Sequence, residues 1–425
     1  MKKTLIVGGG ASGVLVAIHM ARNVSESQLV DIAEPREVLA QGLAYSTKDD
    51  SHLLNVPAGR MSIFPEEPDH FVRWTGKDGN YFATRKEYGL YLFQSFVELQ
   101  VATNTCTFNH IKSSVESLTL RDNLWSVEFE NGDVNEYQNV VLAMGHGKPL
   151  ELPALKALHS NSHYTHDAWR DLVPFNSGLM AAIGTGLTFV DLALSHLRMD
   201  SQNQVIGISR NGLLPEPHLA RRAPAASVPA SARTSPAAVR QFIESANDWR
   251  AAQDGIRHEL PEIWHNWSEE DKQSFFEKHL RWWNVHRHRV APEIQQELTQ
   301  AISTGRLRVV AGEVRSVEEM SNHLVITTSA GEHFEATSLV NCLGYNAWGE
   351  GSLIGQLIQS GIAKPGPLNL GLCTDFPRLN VVSPNGHVHR NLFAIGPILL
   401  GERFETTAIP ELREQARDIA LKLNE

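Results

Sequence analysis

The chain opens with an apolar segment that ends in glycines and continues into a helical pattern. Residues 4–7 (TLIV) are apolar and β-branched, which is typical of a buried parallel strand. Residues 8–13 read GGGASG, and the apolar positions of residues 14–22 have helical spacing. A second apolar run at 28–33 (QLVDIA) predicts the next strand. This order of strand, glycine turn, helix and strand is typical of a dinucleotide-binding unit.

The glycine turn supplies the first candidate cofactor-binding residues. Gly8 permits the turn, Gly10 lets the backbone approach a pyrophosphate, and Gly13 lets the helix pack closely on the strand. The amides and the dipole of the helix N-terminus favour the phosphates. Glu34, at the end of the second strand, would accept hydrogen bonds from an adenosine ribose; a solvated carboxylate is the alternative. The predicted set is Gly8, Gly10, Ala11, Ser12, Gly13, Glu34 and Pro35.

The following loop, residues 42–61, combines turn-forming residues with an apolar cluster. One interpretation is that the loop covers a flat ring system and that Asn55 is its hydrogen-bonding, catalytic partner. The other is that the loop packs only its own hydrophobic side chains. Residues 88–101 then predict an amphipathic core helix. The candidates in the loop are Ala44, Tyr45, Leu54 and Asn55.

Two later segments align without a gap. Residues 115–145 and 314–344 are each 31 residues long, and both contain alternating strands, a glycine-centred turn and a last apolar strand that ends in glycine. Their length predicts a duplicated domain rather than a short repeat. From these segments we add Val115, Gly145 and Gly344 to the cofactor-binding candidates.

A duplicated domain should repeat its phosphate turn, and residues 179–188 do so. An apolar strand at 179–183 leads into GTGLTF, in which Phe189 takes the place of the third glycine and predicts looser packing of helix on strand. The next strand, 204–208, ends at Ser209 and Arg210. An arginine there suits the 2′-phosphate of NADP, and a solvated arginine is the alternative. The candidates are Gly184, Thr185, Gly186, Leu187, Thr188, Ser209 and Arg210.

The remainder of the chain has two further features. Residues 238–300 are helical in pattern and hold five tryptophans beside arginines and histidines. No ligand spacing supports a metal site there, so we expect packed tryptophans with surface arginine and histidine, and we predict no metal. Near the end, a helix N-terminus at 405–411 suits the polar edge of a ring or a ribityl chain; an ordinary capped helix is the alternative. Its candidates are Gly396, Pro397, Glu405, Thr406 and Thr407.

Composition limits the classes of function. The 425 residues allow two or three domains, and the net charge of −10, without a basic cluster, disfavours nucleic acid or an anionic membrane as partner. The three cysteines are far apart, which argues against a disulfide framework and a redox-active disulfide. No apolar stretch approaches the ~18–20 residues of a membrane helix, and we expect a cytoplasmic protein.

These patterns predict an α/β fold with two Rossmann-like dinucleotide-binding domains of the three-layer ββα type. We expect the FAD-binding domain at 1–175 and 342–425, and the NAD(P)-binding domain at 176–341 with a helical insertion at about 215–300. Two units imply two dinucleotides: a tightly held flavin, FAD, and a diffusing NADPH or NADH whose hydride passes to the flavin.

Motifs along nearly the whole chain resemble those of the bacterial FAD-NAD(P)-binding family, which is related to class B flavin monooxygenases and the ornithine and lysine N-hydroxylases. The motifs are GGGASG, GLAYS, LLNVPAGRMS, VVLAMGH, GTGLTFVD, SRNGLLP, CLGY and GPILLGERFETTAIPELREQA. The resemblance implies FAD at the first turn, with Tyr45 and Asn55 near the flavin and with Gly396, Thr406 and Thr407 at its ribityl and pyrimidine end.

In the related monooxygenases, NADPH reduces FAD, and the reduced flavin captures O2 as a C4a-hydroperoxide that oxygenates a small-molecule substrate. Two motifs depart from that group: the Baeyer-Villiger fingerprint is absent, and the A-T-G motif reads AMG at residues 143–145.

Three hypotheses of function remain. The first is an NAD(P)H-dependent monooxygenase, most simply an N-hydroxylase of an amine or amino acid. The second is a reductase that passes electrons to a partner or a quinone without oxygenation. The third is a flavin-binding sensor or scaffold without turnover. A tRNA-modifying flavoprotein is disfavoured by the negative charge. The substrate and the oligomeric state stay open.

Overall fold

The computed structural model describes residues 1–171, 176–219, 223–346 and 351–424. The strands are β1 (Lys2–Val7), β2 (Gln28–Ala33), β3 (Cys106–Ile111), β4 (Val115–Arg121), β5 (Leu124–Phe129), β6 (Val134–Tyr137), β7 (Asn139–Leu142), β8 (Tyr164–Thr165), β9 (Leu179–Ile183), β10 (Gln204–Ser209), β11 (Leu307–Ala311), β12 (Val314–Glu319), β13 (Leu324–Thr328), β14 (His333–Ala336), β15 (Ser338–Asn341), β16 (Thr374–Asp375), β17 (Asn380–Val382) and β18 (Val388–Ala394).

The helices are α1 (Ala11–Asn23), α2 (His70–Thr75), α3 (Arg85–Ala102), α4 (Leu187–Met199), α5 (Pro236–Ser245), α6 (Trp249–Asn266), α7 (Glu269–Ser274), α8 (Leu280–Arg287), α9 (Pro292–Ser303), α10 (Leu353–Gln359) and α11 (Ile409–Leu423). A π-helical turn, Phe275–His279, joins α7 to α8.

The first unit is organised around a seven-stranded sheet in the order β16-β17-β18-β7-β1-β2-β3. The strands from β18 to β3 are parallel, and β16, β17 and β18 pair antiparallel at one edge. The apolar side chains of β1 are fully buried at Leu5 and Ile6, as its central position requires. Helices α1, α3 and α11 pack together, and the antiparallel sheet β4-β5-β6 forms a third layer.

The second unit repeats this plan. Its sheet has the order β11-β10-β9-β15-β8, all parallel, and β12-β13-β14 form a second antiparallel sheet. The predicted duplication is confirmed down to an irregularity, because the register shift between Val115 and Ser117 recurs between Val314 and Ser316. The predicted fold class, two Rossmann-like units of three layers, is therefore correct.

Helices α5 to α8 form an insertion between β10 and β11, which are neighbours in the second sheet. Its core contains Trp264 and Trp283, both fully buried, so the expected packed tryptophans are confirmed. The expected surface arginines are wrong at two positions. Arg287 and Arg289 are 7% and 3% exposed because each is paired with a carboxylate, Glu405 and Asp254 respectively.

The second phosphate turn packs differently from the prediction. Phe189 was expected to loosen the contact of helix and strand, yet its side chain is fully buried. Gly207 of β10 leaves the space that the ring fills: a Cβ atom at Gly207 would lie 2.6 Å from Phe189 Cζ. The large side chain of Phe189, at the position of the third glycine, thus fits because Gly207 on the neighbouring strand has no side chain.

The predicted domain boundary at residue 175 lies among residues 172–175, outside the described residues. Strand β8 precedes that boundary and pairs with β15 in the second sheet. No helix among the described residues is long and apolar enough to span a bilayer.

Replacing Gly207 tests the accommodation of Phe189. We expect Gly207→Ala to lower the free energy of unfolding by about 1–3 kcal/mol, because the added methyl group overpacks the ring. Urea unfolding measures this loss, and Phe189→Leu should relieve most of it in the double variant. Gly312→Ala is the matched control, since its Cβ would make only ordinary contacts, 3.7 Å from Thr328 Cβ. If Gly207→Ala lowered the free energy of unfolding equally with Phe189 and with leucine at that position, the proposed overpacking would be wrong.

Candidate functional site

The backbone of the first phosphate turn packs so closely that it requires glycines at two positions. Gly8 has a φ of +103°, and a Cβ there would lie 2.5 Å from the carbonyl oxygen of Ala143, where β7 has just ended. A Cβ at Gly13 would lie 1.9 Å from the carbonyl oxygen of Gly8. Gly10 is the N-cap residue of helix α1, which has no side-chain cap and no acidic residue in its first turn. Its first amides are therefore available to an anion.

Glu34 lies beside this turn and is not a solvated carboxylate. It is 4% exposed, and its Oε2 accepts a hydrogen bond from the amide of Gly9 at 3.1 Å. Arg36, which the sequence analysis did not single out, donates to both carboxylate oxygens at 2.8 Å. Burial alone would raise the pKa of Glu34, but these bonds outweigh it and the pKa is lowered. The carboxylate is thus ionised and oriented toward the turn.

Residues from the far end of the chain meet the same turn. A Cβ at Gly396, which has a φ of +83°, would lie 3.0 Å from Ser12 Oγ. Thr406 Oγ1 donates to the carbonyl oxygen of Gly396 at 3.1 Å, and Gln415 Oε1 accepts from the amide of Gly396, also at 3.1 Å. The structure therefore brings together Ser12, Gly396 and Thr406, which the sequence separates by almost 400 residues.

The other candidates of the first unit differ in their packing and exposure. Tyr45 packs its ring on Tyr88 with centroids 4.9 Å apart, and Pro397 is buried directly after Gly396. Val115 is the first residue of β4, and Gly145 follows β7 with a φ of +69°. Three candidates are exposed: Pro35, Ala44 and Thr407.

The second phosphate turn repeats the first with more open space. Gly184 has a φ of +100°, and its Cβ would lie 2.4 Å from the carbonyl oxygen of Cys342 after β15. Gly186 is the N-cap residue of helix α4, which again has no side-chain cap and no acidic residue in its first turn. A Cβ at Gly186 would meet no atom within 4 Å, and neither would one at Gly344. Packing within the chain does not require a glycine at 186, which leaves room for a phosphate.

A side chain of the helical insertion reaches the end of β10. Arg281 of α8 places Nη2 3.0 Å from Thr185 Oγ1 and 3.5 Å from Ser209 Oγ, and these two hydroxyls lie 2.8 Å apart. Burial and the nearby charge of Arg210 lower the pKa of Arg281. Arg210 itself is exposed. Two guanidinium groups therefore flank the site where the sequence predicted one.

A small cavity lies between the two units. It brings together three predicted residues: Leu54 and Asn55 of the first unit and Leu187 of the second. The side-chain amide of Asn55 makes no hydrogen bond within the described part of the chain. The remaining walls are Leu53, Arg85, Val190, Asp191, Val290, Ala291 and Ile294. Thr188 lies outside this lining, and its hydroxyl accepts from Trp169 Nε1 at 3.2 Å.

One face of α4 carries the contact between the units. Asp191 pairs with Arg85 of α3 at 3.0 Å, and both are at most 9% exposed. One turn later, Ser195 donates to the carboxylate of Asp49, and its hydroxyl lies 2.9 Å from His52 Nε2. Burial lowers the pKa of His52, so the imidazole is neutral at pH 7. These bonds fix the two phosphate turns relative to the cavity.

Glu405 is engaged elsewhere than at the turn. Its carboxylate pairs with Arg287 at 3.0 Å and accepts from Trp283 Nε1 at 2.9 Å. Burial alone would raise its pKa, but Arg287 and Arg257 lower it to about 2. Glu405 thus anchors the helical insertion to the segment before α11.

The chain matches one family and several solved structures. Residues 5–147 match the model of a family described as FAD-NAD(P)-binding. A search of curated proteins gives no match.

Solved structures of similar fold cover almost the whole chain. An ornithine N-hydroxylase of Kutzneria sp. 744, solved with reduced FAD, NADP+ and L-ornithine, is 16% identical, with a TM-score of 0.63 over 98% of this chain and 97% of its own. An ornithine hydroxylase of Pseudomonas aeruginosa is 14% identical, with a TM-score of 0.65 over 100% and 99%. A bacillithiol disulfide reductase of Staphylococcus aureus is 13% identical, with a TM-score of 0.60 over 100% and 98%. These likenesses establish the fold.

Removing the charge of Glu405 tests the anchor of the insertion. We expect Glu405→Gln to lower the free energy of unfolding by about 3–5 kcal/mol at pH 7, because Arg287 keeps a buried charge without its partner. Since the folded-state pKa is depressed, this stabilisation is present above about pH 5 and is lost as the pH falls toward 2. Urea unfolding of both proteins from pH 7 to 4 should show the difference narrowing.

The control for this series is Glu414→Gln. Glu414 pairs with Arg417 at the surface of α11, so its replacement should cost at most about 1 kcal/mol. Two results would contradict the role of Glu405 as an anchor. One is a loss of unfolding free energy in Glu405→Gln no larger than in Glu414→Gln. The other is a difference between Glu405→Gln and the natural protein that grows as the pH falls.

Proposed function

We propose that the protein is an FAD- and NADPH-dependent monooxygenase that N-hydroxylates a small primary amine or amino acid. The observation that carries the proposal is the cavity where Asn55 of the first unit faces Leu187 of the second. The second phosphate turn borders this cavity through Leu187, the first residue of α4. Each unit has a glycine turn at the carboxyl end of a parallel strand, and such sites hold dinucleotides. The fold shared with ornithine hydroxylases supports the same reading.

In this proposal, FAD is held at the first turn. The uncapped N-terminus of α1 and the approach that Gly10 allows would bind its pyrophosphate. Glu34, oriented by Arg36, would accept hydrogen bonds from the adenosine ribose. Gly396 and the hydroxyl of Ser12 would lie along the ribityl chain. When bound, FAD accepts a hydride from the nicotinamide and delivers electrons to O2.

The residues of the cavity suit an amine that reacts as a nucleophile. Leu53, Leu54 and Val190 make its walls apolar, and burial in such surroundings favours the neutral amine over the ammonium ion. Only the neutral form offers the lone pair that accepts oxygen. The free amide of Asn55 would orient the ring or the amine by a hydrogen bond, while the Arg85–Asp191 pair provides the charged wall.

The thiols support oxygenation over a thiol relay. Cys106, Cys342 and Cys373 are free and separate, and burial raises the pKa of Cys342 and of Cys373 to about 12. A thiol at such a pKa is a poor nucleophile at pH 7. The free thiols and the need for NADPH also suit a cytoplasmic location.

The experiment that tests the function follows one turnover with the purified yellow protein. NADPH is first added without oxygen, and flavin reduction is followed by its visible absorbance. Ornithine, lysine, cadaverine and other amines are then supplied in air, and mass spectrometry measures amines that carry one added oxygen. We expect rapid reduction and at least one such product.

Other outcomes identify the alternatives. Rapid reduction with electron transfer to quinones or disulfides, and no oxygenated product from the panel, would indicate a reductase. Reduction slower than minutes would indicate a flavin-binding sensor. A purified protein without flavin would overturn the proposal.

Arg281 and Arg210 should determine the preference for NADPH. Each guanidinium would bind the 2′-phosphate, and a charged hydrogen bond contributes about 1.5–3 kcal/mol. We therefore expect Arg281→Ala and Arg210→Ala to raise the KM for NADPH about 10–100-fold and to leave the KM for NADH nearly unchanged. Steady-state kinetics with both nucleotides measure this.

The matched control is Arg198→Ala, an arginine of the second unit that pairs with Glu297 at the far end of α4. It should change neither KM. A parallel rise in both KM values for Arg281→Ala would show that this arginine supports the fold of the turn rather than the 2′-phosphate.

A further inference from the structure

Three side chains of types that bind metal ions meet in the segment that links the two units, outside the lining of the cavity. They are Glu151, His159 and His166, and their ligand atoms all lie within 4.8 Å of one another. We propose that these three side chains bind one divalent transition-metal ion, and that Zn2+ is the ion they fit. The proposal is independent of the proposed function, because it rests on the linking segment alone.

The backbone around the cluster is fixed by a single side chain. Asn341, the last residue of β15, donates from Nδ2 to the carbonyl oxygen of Leu150 at 2.7 Å and to that of His166 at 3.2 Å. The amide of Leu150 also donates to the carbonyl oxygen of Gly344 at 2.9 Å. Glu151 and His166, fifteen residues apart in sequence, are thereby placed side by side on the second unit.

His159 is presented by a short helical turn. Residues Pro153–Leu158 form a 3-10 helix that buries Leu155 and Leu158, and His159 follows at its end. Its Nε2 contacts Glu151 Oε1, and its ring lies 4.4 Å from the ring of His166, centroid to centroid. The packing of Leu155 and Leu158 in the core therefore fixes the backbone position of His159.

The cluster contains polar atoms that the protein alone does not satisfy. Nδ1 of His166 is buried and lies 3.2 Å from Glu151 Oε1, without the alignment of a hydrogen bond. The hydroxyl of Tyr164, a residue only 7% exposed that packs beside both histidines, has no hydrogen-bond partner in the described part of the chain. Buried polar atoms normally have a partner, so these point to a missing one.

The donor set selects the class of ion. Two imidazole nitrogens and one carboxylate oxygen suit Zn2+ or its neighbours, whereas Ca2+ and Mg2+ prefer oxygen ligands alone. Zinc bonds of about 2.0–2.2 Å in a tetrahedron separate ligand atoms by about 3.3–3.5 Å, within the present spread. Three protein ligands leave a fourth position for water. His159, whose side chain is 51% exposed, leaves a path for entry.

The site would fasten the link between the units. Residues 148 and 149 lie beside residues 345 and 346, which follow β15. The residues after β15 also include Cys342, whose carbonyl oxygen lies close to Gly184. A bound ion would hold the 3-10 turn and the residues after β8 to this edge of the second sheet. Because the three side chains lie outside the lining of the cavity, we expect loss of the ion to loosen the link rather than to change the chemistry of the cavity.

The test titrates Zn2+ into the full, tag-free protein as purified with its flavin, after treatment with chelator. We expect calorimetry to show one Zn2+ per chain, Co2+ to give the visible bands of a four-coordinate site, and Zn2+ to raise the thermal unfolding midpoint. Glu151→Gln and His166→Ala should each weaken binding at least tenfold, and His159→Ala/His166→Ala should abolish it. His323→Ala, at a half-buried histidine between β12 and β13, should bind Zn2+ as the natural protein does.

Each other outcome overturns the site. Binding by the double variant that equals binding by the natural protein would show that the ion sits elsewhere. Absence of stoichiometric binding by the natural protein would show that the three side chains form only a hydrogen-bonded cluster. An equal loss in His323→Ala would show nonspecific binding to surface histidines. Flavin content and the unfolding midpoint in chelator show whether each variant is folded.

Discussion

The buried ion pair between Arg85 and Asp191 sets the geometry on which the rest of the molecule depends. It joins the first turn of α3 to the first turns of α4, and so fixes where the second phosphate turn stands relative to the first. Breaking such a pair by removing one partner leaves a buried charge and costs about 3–5 kcal/mol. Leu187, Asp191 and Ser195 are spaced one turn apart and lie on the same face of α4. This face lines the cavity, forms the ion pair and makes the hydrogen bond to His52.

The two phosphate turns share one plan but differ in their surroundings. The first is covered: a Cβ at Gly10 would lie 3.3 Å from Gly42 Cα, because the loop after Glu34 folds over the turn. The second is open at Gly186 and is approached by Arg281 from the helical insertion. A covered site suits a nucleotide that stays, and an open one suits a nucleotide that exchanges. This difference fits the proposed division between FAD and NADPH.

The sequence predicted the features that depend on neighbouring residues, such as the strand, turn and helix around Gly8 and the duplicated segments around Gly145 and Gly344. It missed features made by distant residues. Arg281 and Arg85 carry no local signal, because their partners lie about 70 to 106 residues away. Phe189 was misjudged for the same reason, since the space for its ring is made at Gly207 on another strand. The pairing of Glu405 with Arg287 was also missed, because the two residues are 118 positions apart.

The return of the chain to its first sheet affects the order in which the protein folds during synthesis. Strand β18, which pairs with β7, and helix α11, which packs on α1, are made only after the entire second unit. The second sheet needs only residues up to 341, so it can close while β7 still presents an unpaired edge. Such an edge invites pairing with other chains. The emerging protein therefore carries its half-built nucleotide unit through most of its translation, and slow elongation late in the message would prolong the period in which it is exposed to aggregation.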